Sequence, residues 1–307
     1  MAAHRTAIVC PGQGSQRPGM LAALPELESF DRLLDAAEAL SGLDLRTIAA
    51  LGTDEDLADT RVAQPLLYLA DWAWGTTLIE CGVRPVAVAG HSLGEFAALA
   101  LAGVFSVEAG LELVVQRSQL MSVAAASAVG GMVAVLGLDP DVVASTVSGV
   151  DGVWVANDNA PGQLVISGTD EGLETATVAL TGAGARRVIR LAVAGPFHSP
   201  LMVAAAEPFA EVLRGAHMSN AWVPVVQNTC PEPATDAATI RERLIGQIVS
   251  PVRWTETMLA LAAGEPVTLV EAGPGNVLSG LARRVEGVTA ISVEDTEIES
   301  ILLEVSS

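Results

Sequence analysis

A short apolar segment that runs into a Gly-x-Ser-x-Gly pattern constrains this chain more than any other feature. Residues 86–90 are small or β-branched and apolar, and residues 96–102 are rich in Ala and Leu, which favours a strand followed by a helix. The glycines beside Ser92 permit a strained turn that exposes its side chain near backbone N–H groups and a helix N-terminus. A chance match is the alternative, but these flanks favour a nucleophilic serine.

Length and composition predict a folded α/β protein. The 307 residues are 50% apolar and 17% charged, and they suffice for one large domain or two smaller ones. No apolar run approaches the roughly 20 residues of a membrane-spanning helix, and no signal-peptide core precedes the Gly-rich segment at 11–14. We therefore expect a cytoplasmic protein without a membrane partner.

Cysteine usage and net charge exclude other classes. Cys10, Cys81 and Cys230 are widely separated and odd in number, so we expect buried free thiols rather than disulfides or a metal site. The formal charge of −20 without any lysine argues against a nucleic-acid partner. We expect neither a metal nor a bound cofactor.

The hydrophobic pattern indicates an inserted domain. A strand over 6–10 enters a Gly-rich loop, helical patterns fill much of 20–80, and a late strand over 268–271 ends in a Gly-Pro-Gly turn. Between them, strands over 132–138, 153–157, 163–167 and 187–193 and helices over 141–147 and 171–180 follow the order β-α-β-β-α-β. This order predicts a ferredoxin-like domain over 130–195, inserted into a larger α/β domain formed by 1–129 and 196–307.

His198 is the best candidate for a general base among the four histidines. His4 lies in the N-terminal tail, His217 lies in a polar stretch, and the His91 side chain should point away from the adjacent Ser92. His198 just precedes a helix that we expect to start with Ser199 as its N-cap. No Asp or Glu between Ser92 and His198 can be identified from the sequence as the residue that orients the imidazole. A backbone carbonyl or an amide could orient it instead.

Arg117 is unusual because it lies within an apolar helical stripe. The helix over 107–121 has Ser106 as its predicted N-cap, and the positions three and four residues from Arg117 are all apolar. A buried guanidinium needs a partner. A protein carboxylate would make Arg117 structural, whereas a substrate carboxylate could bind its planar fork through both oxygens; the residues alone leave both possibilities open.

Two further groups of arginines stand out on an acidic background: Arg186, Arg187 and Arg190, and Arg283 and Arg284. They form either an ordinary solvated face or a docking patch for an acidic partner or phosphates.

Several motifs together resemble one enzyme family. The motifs are Pro11-Gly12-Gln13-Gly14-Ser15-Gln16, Gly90-His91-Ser92-Leu93-Gly94-Glu95, Gln116-Arg117-Ser118-Gln119-Leu120-Met121, Asn157-Asp158-Asn159-Ala160-Pro161-Gly162-Gln163, Phe197-His198-Ser199-Pro200-Leu201-Met202 and Gly273-Pro274-Gly275. They resemble the malonyl-CoA:acyl-carrier-protein transacylases and the acyltransferase domains of polyketide synthases. The motifs occur in family order from residue 8 to about 285.

The resemblance implies a fold and a mechanism. The larger domain would be hydrolase-like, with a parallel sheet and the nucleophile elbow, and the active site would lie between it and the insert. Ser92 would take an acyl group from coenzyme A in a ping-pong reaction and pass it to the phosphopantetheine thiol of an acyl carrier protein. His198 would be the base, oriented by the backbone carbonyl of Gln247, and the N–H groups of Gln13 and Leu93 would form the oxyanion hole.

The resemblance also implies a malonyl substrate. Arg117 matches the arginine that pairs with the free malonyl carboxylate, and the Phe197 ring would leave little room for an α-methyl branch. The expected substrate-binding residues are Arg117, Phe197, His91, Met121 and Asn159. Malonyl-CoA is then a substrate rather than a cofactor, and the five arginines of these two groups are the candidates for docking the carrier protein.

Two departures from the family pattern leave the pathway open. Cys10 stands where an aromatic residue is usual, and Gly195-Pro196-Phe197 differs from the small residues that often precede this histidine. The alternatives are a discrete polyketide acyltransferase for another acyl unit, the malonyl-transfer subunit of malonate decarboxylase, and a serine thioesterase. A non-catalytic docking subunit is a further alternative, which intact Ser92, His198 and Arg117 disfavour.

Overall fold

The computed structural model describes residues 5–305. Within that range the strands are β1 (Thr6–Cys10), β2 (Ala87–Gly90), β3 (Gly130–Leu136), β4 (Val153–Ala160), β5 (Gln163–Thr169), β6 (Arg187–Arg190), β7 (Val225–Val226), β8 (Val252–Arg253), β9 (Val267–Glu271) and β10 (Val288–Ser292). The α-helices are α1 (Phe30–Ser41), α2 (Leu45–Leu51), α3 (Asp54–Ala58), α4 (Thr60–Glu80), α5 (Gly94–Leu101), α6 (Val107–Ser127), α7 (Pro140–Ser148), α8 (Asp170–Gly182), α9 (Val203–Gly215), α10 (Ala237–Ile245), α11 (Trp254–Ala262), α12 (Val277–Ala282) and α13 (Ile298–Val305). The chain thus forms two sheets flanked by helices.

The larger sheet is parallel and carries the nucleophile elbow. Its strand order is β10-β9-β1-β2-β7, and all of its pairings are parallel. Both faces of β1 are buried, as expected for a central strand covered by helices on each side. Because the carboxyl ends of parallel strands meet at one edge, the loops after β1, β2, β7 and β9 gather there.

The smaller sheet has ferredoxin-like strand order. Its strands run β6-β3-β5-β4-β8, with antiparallel pairing among the first four, so the predicted α/β fold class with a ferredoxin-like insert is confirmed. The fifth strand, β8, comes from outside 130–195 and pairs parallel with β4. The domain boundaries at 130 and 195 remain a prediction.

Local differences from the sequence-based expectations lie near residues 187–203. β6 ends at Arg190 rather than at 193. The helix expected after Ser199 opens with a 3-10 turn over Pro200–Met202, and only then does α9 begin. Ser199 does not cap it through its side chain, because its hydroxyl donates to the Pro196 carbonyl instead.

The thiols are only partly as expected. All three cysteines are free, but only Cys10 is buried; Cys81 is exposed and Cys230 lies partly exposed. Cys10 is inside because it ends the central strand β1. No helix among residues 5–305 is both long and apolar enough to span a bilayer. The cytoplasmic location stays a prediction.

Asp71 is a buried carboxyl group beneath the loops that follow β1 and β9. It lies in α4 with 0% exposure, and neither carboxylate oxygen has a hydrogen-bond partner in the described part of the chain. A Cβ atom at Gly273 would come within 2.2 Å of its Oδ1. Burial, and secondarily the charge of Glu271, raise the pKa of Asp71 well above its ordinary value.

We expect Asp71→Asn to stabilise the fold above about pH 4. A raised folded-state pKa means that folding takes up a proton, so the Asp71 contribution is favourable at low pH and is lost as pH rises above the unfolded pKa. The gain in the free energy of unfolding should be present at pH 8 and shrink at pH 4. Urea unfolding at both pH values measures it, with exposed Asp151→Asn as the control. A variant less stable than the wild type at pH 8 would contradict the argument.

Candidate active site

The nucleophile elbow joins β2 to α5 and depends on both of its glycines. Ser92 has a φ of +51°, which lies in the left-handed region that is unfavourable for a residue with a side chain. A Cβ atom on Gly90 would lie 2.0 Å from the Gly94 carbonyl group, and one on Gly94 would lie 2.1 Å from the Cys10 carbonyl oxygen. The turn can therefore close only with glycine at both positions.

Ser92 and His198 form a hydrogen-bonded pair. The Ser92 Oγ lies 2.8 Å from the His198 Nε2, and the Nδ1 lies 3.1 Å from each of the Gln247 and Ser250 carbonyl oxygens. Carbonyl oxygens only accept hydrogen bonds, so the Nδ1 carries the proton and the Nε2 accepts from the Ser92 hydroxyl. This arrangement orients a base without a carboxylate.

The environment keeps His198 neutral. Burial, followed by the charge of Arg117 and the neighbouring His91, lowers the pKa of His198 from 6.5 to about 3. The imidazole is therefore ready to accept a proton from Ser92 at neutral pH.

Arg117 lies beside the nucleophile with only neutral oxygen partners. Its Nη1 donates to Gln64 Oε1 at 2.8 Å, and its Nη2 donates to Gln247 Oε1 at 3.0 Å and to Ser92 Oγ at 3.2 Å. The Nε–H has no partner among residues 5–305, and no carboxylate in that range forms an ion pair with the guanidinium. Burial lowers the pKa of Arg117 to about 10, while the charge of buried Glu95 acts in the opposite direction, so Arg117 stays cationic.

Two residues that line the site have backbone N–H groups without a partner among residues 5–305. The cavity is lined by both Gln13 and Leu93, and neither N–H donates a hydrogen bond to another group of the described chain. The N–H of Ser92 is different, because it donates to Asn228 Oδ1 at 2.7 Å. The predicted pair, Gln13 and Leu93, therefore supplies the free donors.

These groups open into a cavity of about 170 Å³. Its lining includes three predicted substrate-binding residues besides Arg117, namely His91, Met121 and Phe197. Leu191, Ala192 and Val193 of the insert also line it. The cavity thus lies where the larger sheet's loops meet the insert.

Asn159 is placed differently from the expectation. Its Oδ1 lies 2.8 Å from the His91 Nε2, and it is not among the residues that line the cavity. Irregular register in β4, between Asp158 and Ala160, shifts the alternation of side chains there. Asn157 reaches the cavity instead, while Asn159 orients the His91 ring, which packs edge-on against Trp254.

The five candidate docking arginines occupy two separate places. Arg186, Arg187 and Arg190, here the β6 arginines, lie at the outer edge of the smaller sheet, and Arg283 and Arg284, here the α12 arginines, follow α12. Because α12 packs against β4, and two strands separate β4 from β6, the structure does not bring the two groups together. All five are exposed, and Arg190 is paired with Asp170.

Sequence reasoning missed three contributors. Gln64, Asn228 and the Ser250 carbonyl hold Arg117, Ser92 and His198 respectively. Gln64 is a single polar residue in an apolar helical run, the same signal that drew attention to Arg117, and Asn228 is the second residue after β7. The contribution of Ser250 could not be predicted from its residue type, because every residue has a backbone carbonyl.

His217 takes no part in this arrangement. His217 is exposed and does not line the cavity, and His4 lies outside the described residues. Among residues 5–305 no group of three or more His, Cys, Asp or Glu side chains could hold a metal ion.

Comparison with known proteins assigns the family. Residues 7–297 match the acyl transferase domain. The malonyl CoA-acyl carrier protein transacylase of Bacillus subtilis (strain 168) is 40% identical over 299 residues, covering 95% of this chain and 94% of that protein. A polyketide biosynthesis malonyl CoA-acyl carrier protein transacylase of the same organism is 36% identical, covering 91% and 96%.

Solved structures agree with the sequence relatives. A malonyl-transacylase in complex with its type II polyketide-synthase acyl-carrier protein superposes with a TM-score of 0.91 at 38% identity, covering 98% of this chain and 99% of that one. An acyl carrier protein S-malonyltransferase from Vibrio cholerae superposes at 0.90 and 36% identity, covering 97% and 99%. The chain therefore belongs to the family of acyl transferase domains that includes the malonyl CoA-acyl carrier protein transacylases.

Proposed function

We propose that this protein transfers a malonyl group from coenzyme A to the phosphopantetheine thiol of an acyl carrier protein through an acyl-enzyme on Ser92. The observation that carries the proposal is Arg117, a buried cation with only neutral partners, 3.2 Å from the nucleophilic oxygen. Buried Glu95 offsets part of the Arg117 charge from a distance but forms no ion pair with it, and a buried cation without a contacting counter-ion is costly. A substrate with a free carboxylate supplies the missing charge when its thioester carbonyl reaches Ser92.

The first half-reaction acylates the enzyme. His198 Nε2 takes the hydroxyl proton as Ser92 Oγ attacks the thioester carbonyl, and the N–H groups of Gln13 and Leu93 bind the oxyanion. The tetrahedral intermediate expels the coenzyme A thiolate, which receives the proton from His198. Malonyl-Ser92 and free coenzyme A result.

The second half-reaction repeats these steps in reverse order. The phosphopantetheine thiol gives its proton to His198 and attacks the malonyl ester carbonyl, and the intermediate expels the Ser92 alkoxide, which regains the proton. Neutral His198 serves both directions, and no carboxylate relay is needed because the Gln247 and Ser250 carbonyls hold its tautomer.

Selectivity would come from two features of the cavity wall. The planar Arg117 fork favours malonyl over acetyl through charge-assisted hydrogen bonds. Phe197, next to the base and only 6% exposed, restricts the space available to an α-methyl branch. A single methyl group is discriminated by about 1–3 kcal/mol, so methylmalonyl should react slowly rather than not at all.

The function is tested by incubating the protein with malonyl-, methylmalonyl- or acetyl-coenzyme A and then with a holo carrier protein. We expect a malonyl adduct on the enzyme that moves to the phosphopantetheine thiol, with the apo carrier, which lacks that thiol, as the control. Release of free malonate would indicate a thioesterase instead. An equal preference for acetyl would exclude a malonyl-specific enzyme, and preference for another acyl unit would favour a polyketide acyltransferase.

We expect charge reversal of one arginine group to impair carrier-protein transfer. No carboxylate of the described chain pairs with Arg186, Arg187, Arg283 or Arg284, so these cations are available to an acidic partner. Arg186→Glu/Arg187→Glu and Arg283→Glu/Arg284→Glu are the matched double variants. The KM for carrier protein should rise about 10-fold in one of them, most at low salt, with unchanged acylation by malonyl-coenzyme A. Unchanged carrier kinetics in both would refute docking at these residues.

A further inference from the structure

Asn228 does not line the cavity, but its side chain brackets the nucleophile by bonding to the backbone on either side of His91. Its Oδ1 accepts the Ser92 N–H at 2.7 Å, and its Nδ2 donates to the Gly90 carbonyl at 2.7 Å. An N–H only donates and a carbonyl only accepts, so these two partners leave a single orientation for the amide. One buried side chain thus ties together the last residue of β2 and the serine itself.

Asn228 is itself held on both sides of its backbone. Its N–H donates to Glu95 Oε2 at 2.9 Å, and its carbonyl accepts from the Arg253 N–H of β8 at 3.2 Å. The other oxygen of Glu95 accepts from Gln227 Nε2 at 3.0 Å. Asn228, Glu95 and Gln227 are each at most 1% exposed, so no solvent competes for these bonds.

The bracket acts where the backbone is strained. The left-handed conformation of Ser92 persists only if surrounding contacts outweigh its cost, and Gln247 Nε2 adds a bond to the Ser92 carbonyl at 3.0 Å. A different φ at Ser92 would move its Oγ relative to His198. The Ser92 carbonyl and the Leu93 N–H belong to one peptide, so Asn228 and Gln247 together fix where that N–H lies. The hydrogen bond from the Ser92 N–H to Asn228 Oδ1 also means that this N–H is not available to bind the oxyanion.

We propose that Asn228, held by Glu95, is a positioning residue for acyl transfer: it fixes the strained Ser92 backbone so that Oγ faces His198 and the Leu93 N–H faces the substrate oxygen. The proposal rests on the Ser92 acyl-enzyme mechanism above. It gives Glu95, the last residue of the elbow motif, a role that does not involve contact with substrate.

Asn228→Asp tests the proposal because protonation controls whether the bracket can form. A protonated carboxyl can accept from Ser92 and donate to Gly90 as the amide does, whereas a carboxylate faces the Gly90 carbonyl with a second acceptor. The titratable groups around this position are Glu95, on its backbone N–H, and His198 and Arg117, across Ser92. Acylation by malonyl-coenzyme A, relative to wild type, should fall about 10²-fold at pH 8 and recover substantially at pH 5, in kcat more than in KM.

The controls distinguish a loss of Ser92 positioning from a loss of protein stability and from a failure of the acyl-enzyme mechanism. Tyr68→Phe removes one buried hydrogen bond, to the Val107 carbonyl, and should retain the wild-type pH profile; thermal melting of each variant is followed at both pH values. Asn228→Asp that is folded and follows the wild-type pH profile would overturn the proposal. A wild-type enzyme that forms no adduct on Ser92 would instead overturn the acyl-enzyme mechanism, whatever Asn228 does.

Glu95→Gln is the second variant, for the case in which Asn228→Asp does not fold. It keeps the side-chain length but replaces one of the two acceptor oxygens with a donor, so the hold on Asn228 weakens. We expect a folded enzyme with a lower kcat and a nearly unchanged KM for malonyl-coenzyme A. Unfolding of both variants, or wild-type kcat in folded Glu95→Gln, would assign these residues to stability alone and refute positioning.

Discussion

Ser92→Ala should abolish the acyl-enzyme and lower malonyl transfer by at least about 10⁴-fold. His198 and Arg117 both contact the Ser92 Oγ, and no second hydroxyl shares that position in the described chain. Intact-protein mass spectrometry after mixing with malonyl-coenzyme A should show one malonyl adduct on the wild type and none on the variant. Loss of the adduct with retained folding would establish Ser92 as the nucleophile.

A second buried serine provides the control for this experiment. Ser118 is 1% exposed, and its hydroxyl donates to the Val115 carbonyl within α6, away from Ser92 and His198. Ser118→Ala should acquire the adduct at the wild-type rate. A malonyl adduct that persists in Ser92→Ala would move the nucleophile elsewhere and contradict the assigned elbow.

Arg117→Met should reverse the acyl preference. Methionine retains much of the length but has no charge, so the malonyl carboxylate loses its partner, whereas acetyl has no carboxylate that could lose one. Breaking a buried ion pair costs about 3–5 kcal/mol, which corresponds to a fall of about 10²- to 10⁴-fold in acylation by malonyl-coenzyme A. The exposed Arg32→Met, which loses only a surface contact with Glu108, is the matched control and should leave the preference unchanged.

The same variant carries a second, independent signature. The Arg117 charge is one of the causes that lower the pKa of His198, so its removal should raise that pKa. Acylation requires neutral His198, and the rate falls as pH drops through its pKa; the acid limb with acetyl-coenzyme A should therefore move to higher pH. An unchanged preference for malonyl, together with an unmoved acid limb, would make Arg117 structural.

Local features of this chain could be predicted because their causes are local. The elbow follows from steric limits at Gly90 and Gly94, which the structure shows as contacts of 2.0 and 2.1 Å for a hypothetical Cβ. The β-α-β-β-α-β order of the insert follows from alternating apolar periods separated by turns. The N-cap of α6 at Ser106 likewise holds, since its side chain accepts from the Ala109 N–H.

Other features depend on neighbours that are distant in sequence. Asn159 bonds to His91 instead of lining the cavity because the register of β4 is irregular. Residue type alone does not predict such a register shift. The two docking arginine groups are separated by strand order, which pairs β6 with β3 and β4 with β8. Closeness along the sequence predicted each arginine group, but it could not predict that the two groups lie apart in the folded protein.

Local sequence signals determined the nucleophile elbow, the β-α-β-β-α-β insert, and Ser92 and His198 as candidate nucleophile and base, because glycine sterics, apolar periodicity and isolated polar residues act over a few positions. The parallel sheet and the substrate-binding role of Arg117 were expectations from the family resemblance. The tertiary structure decided which atoms meet. Gln13, Ser92 and Asn228 follow three different parallel strands and converge only at their shared carboxyl edge. Burial there decided that His198 is neutral, that Arg117 is charged but unpaired among the described residues, and that Asn228 holds the serine in place.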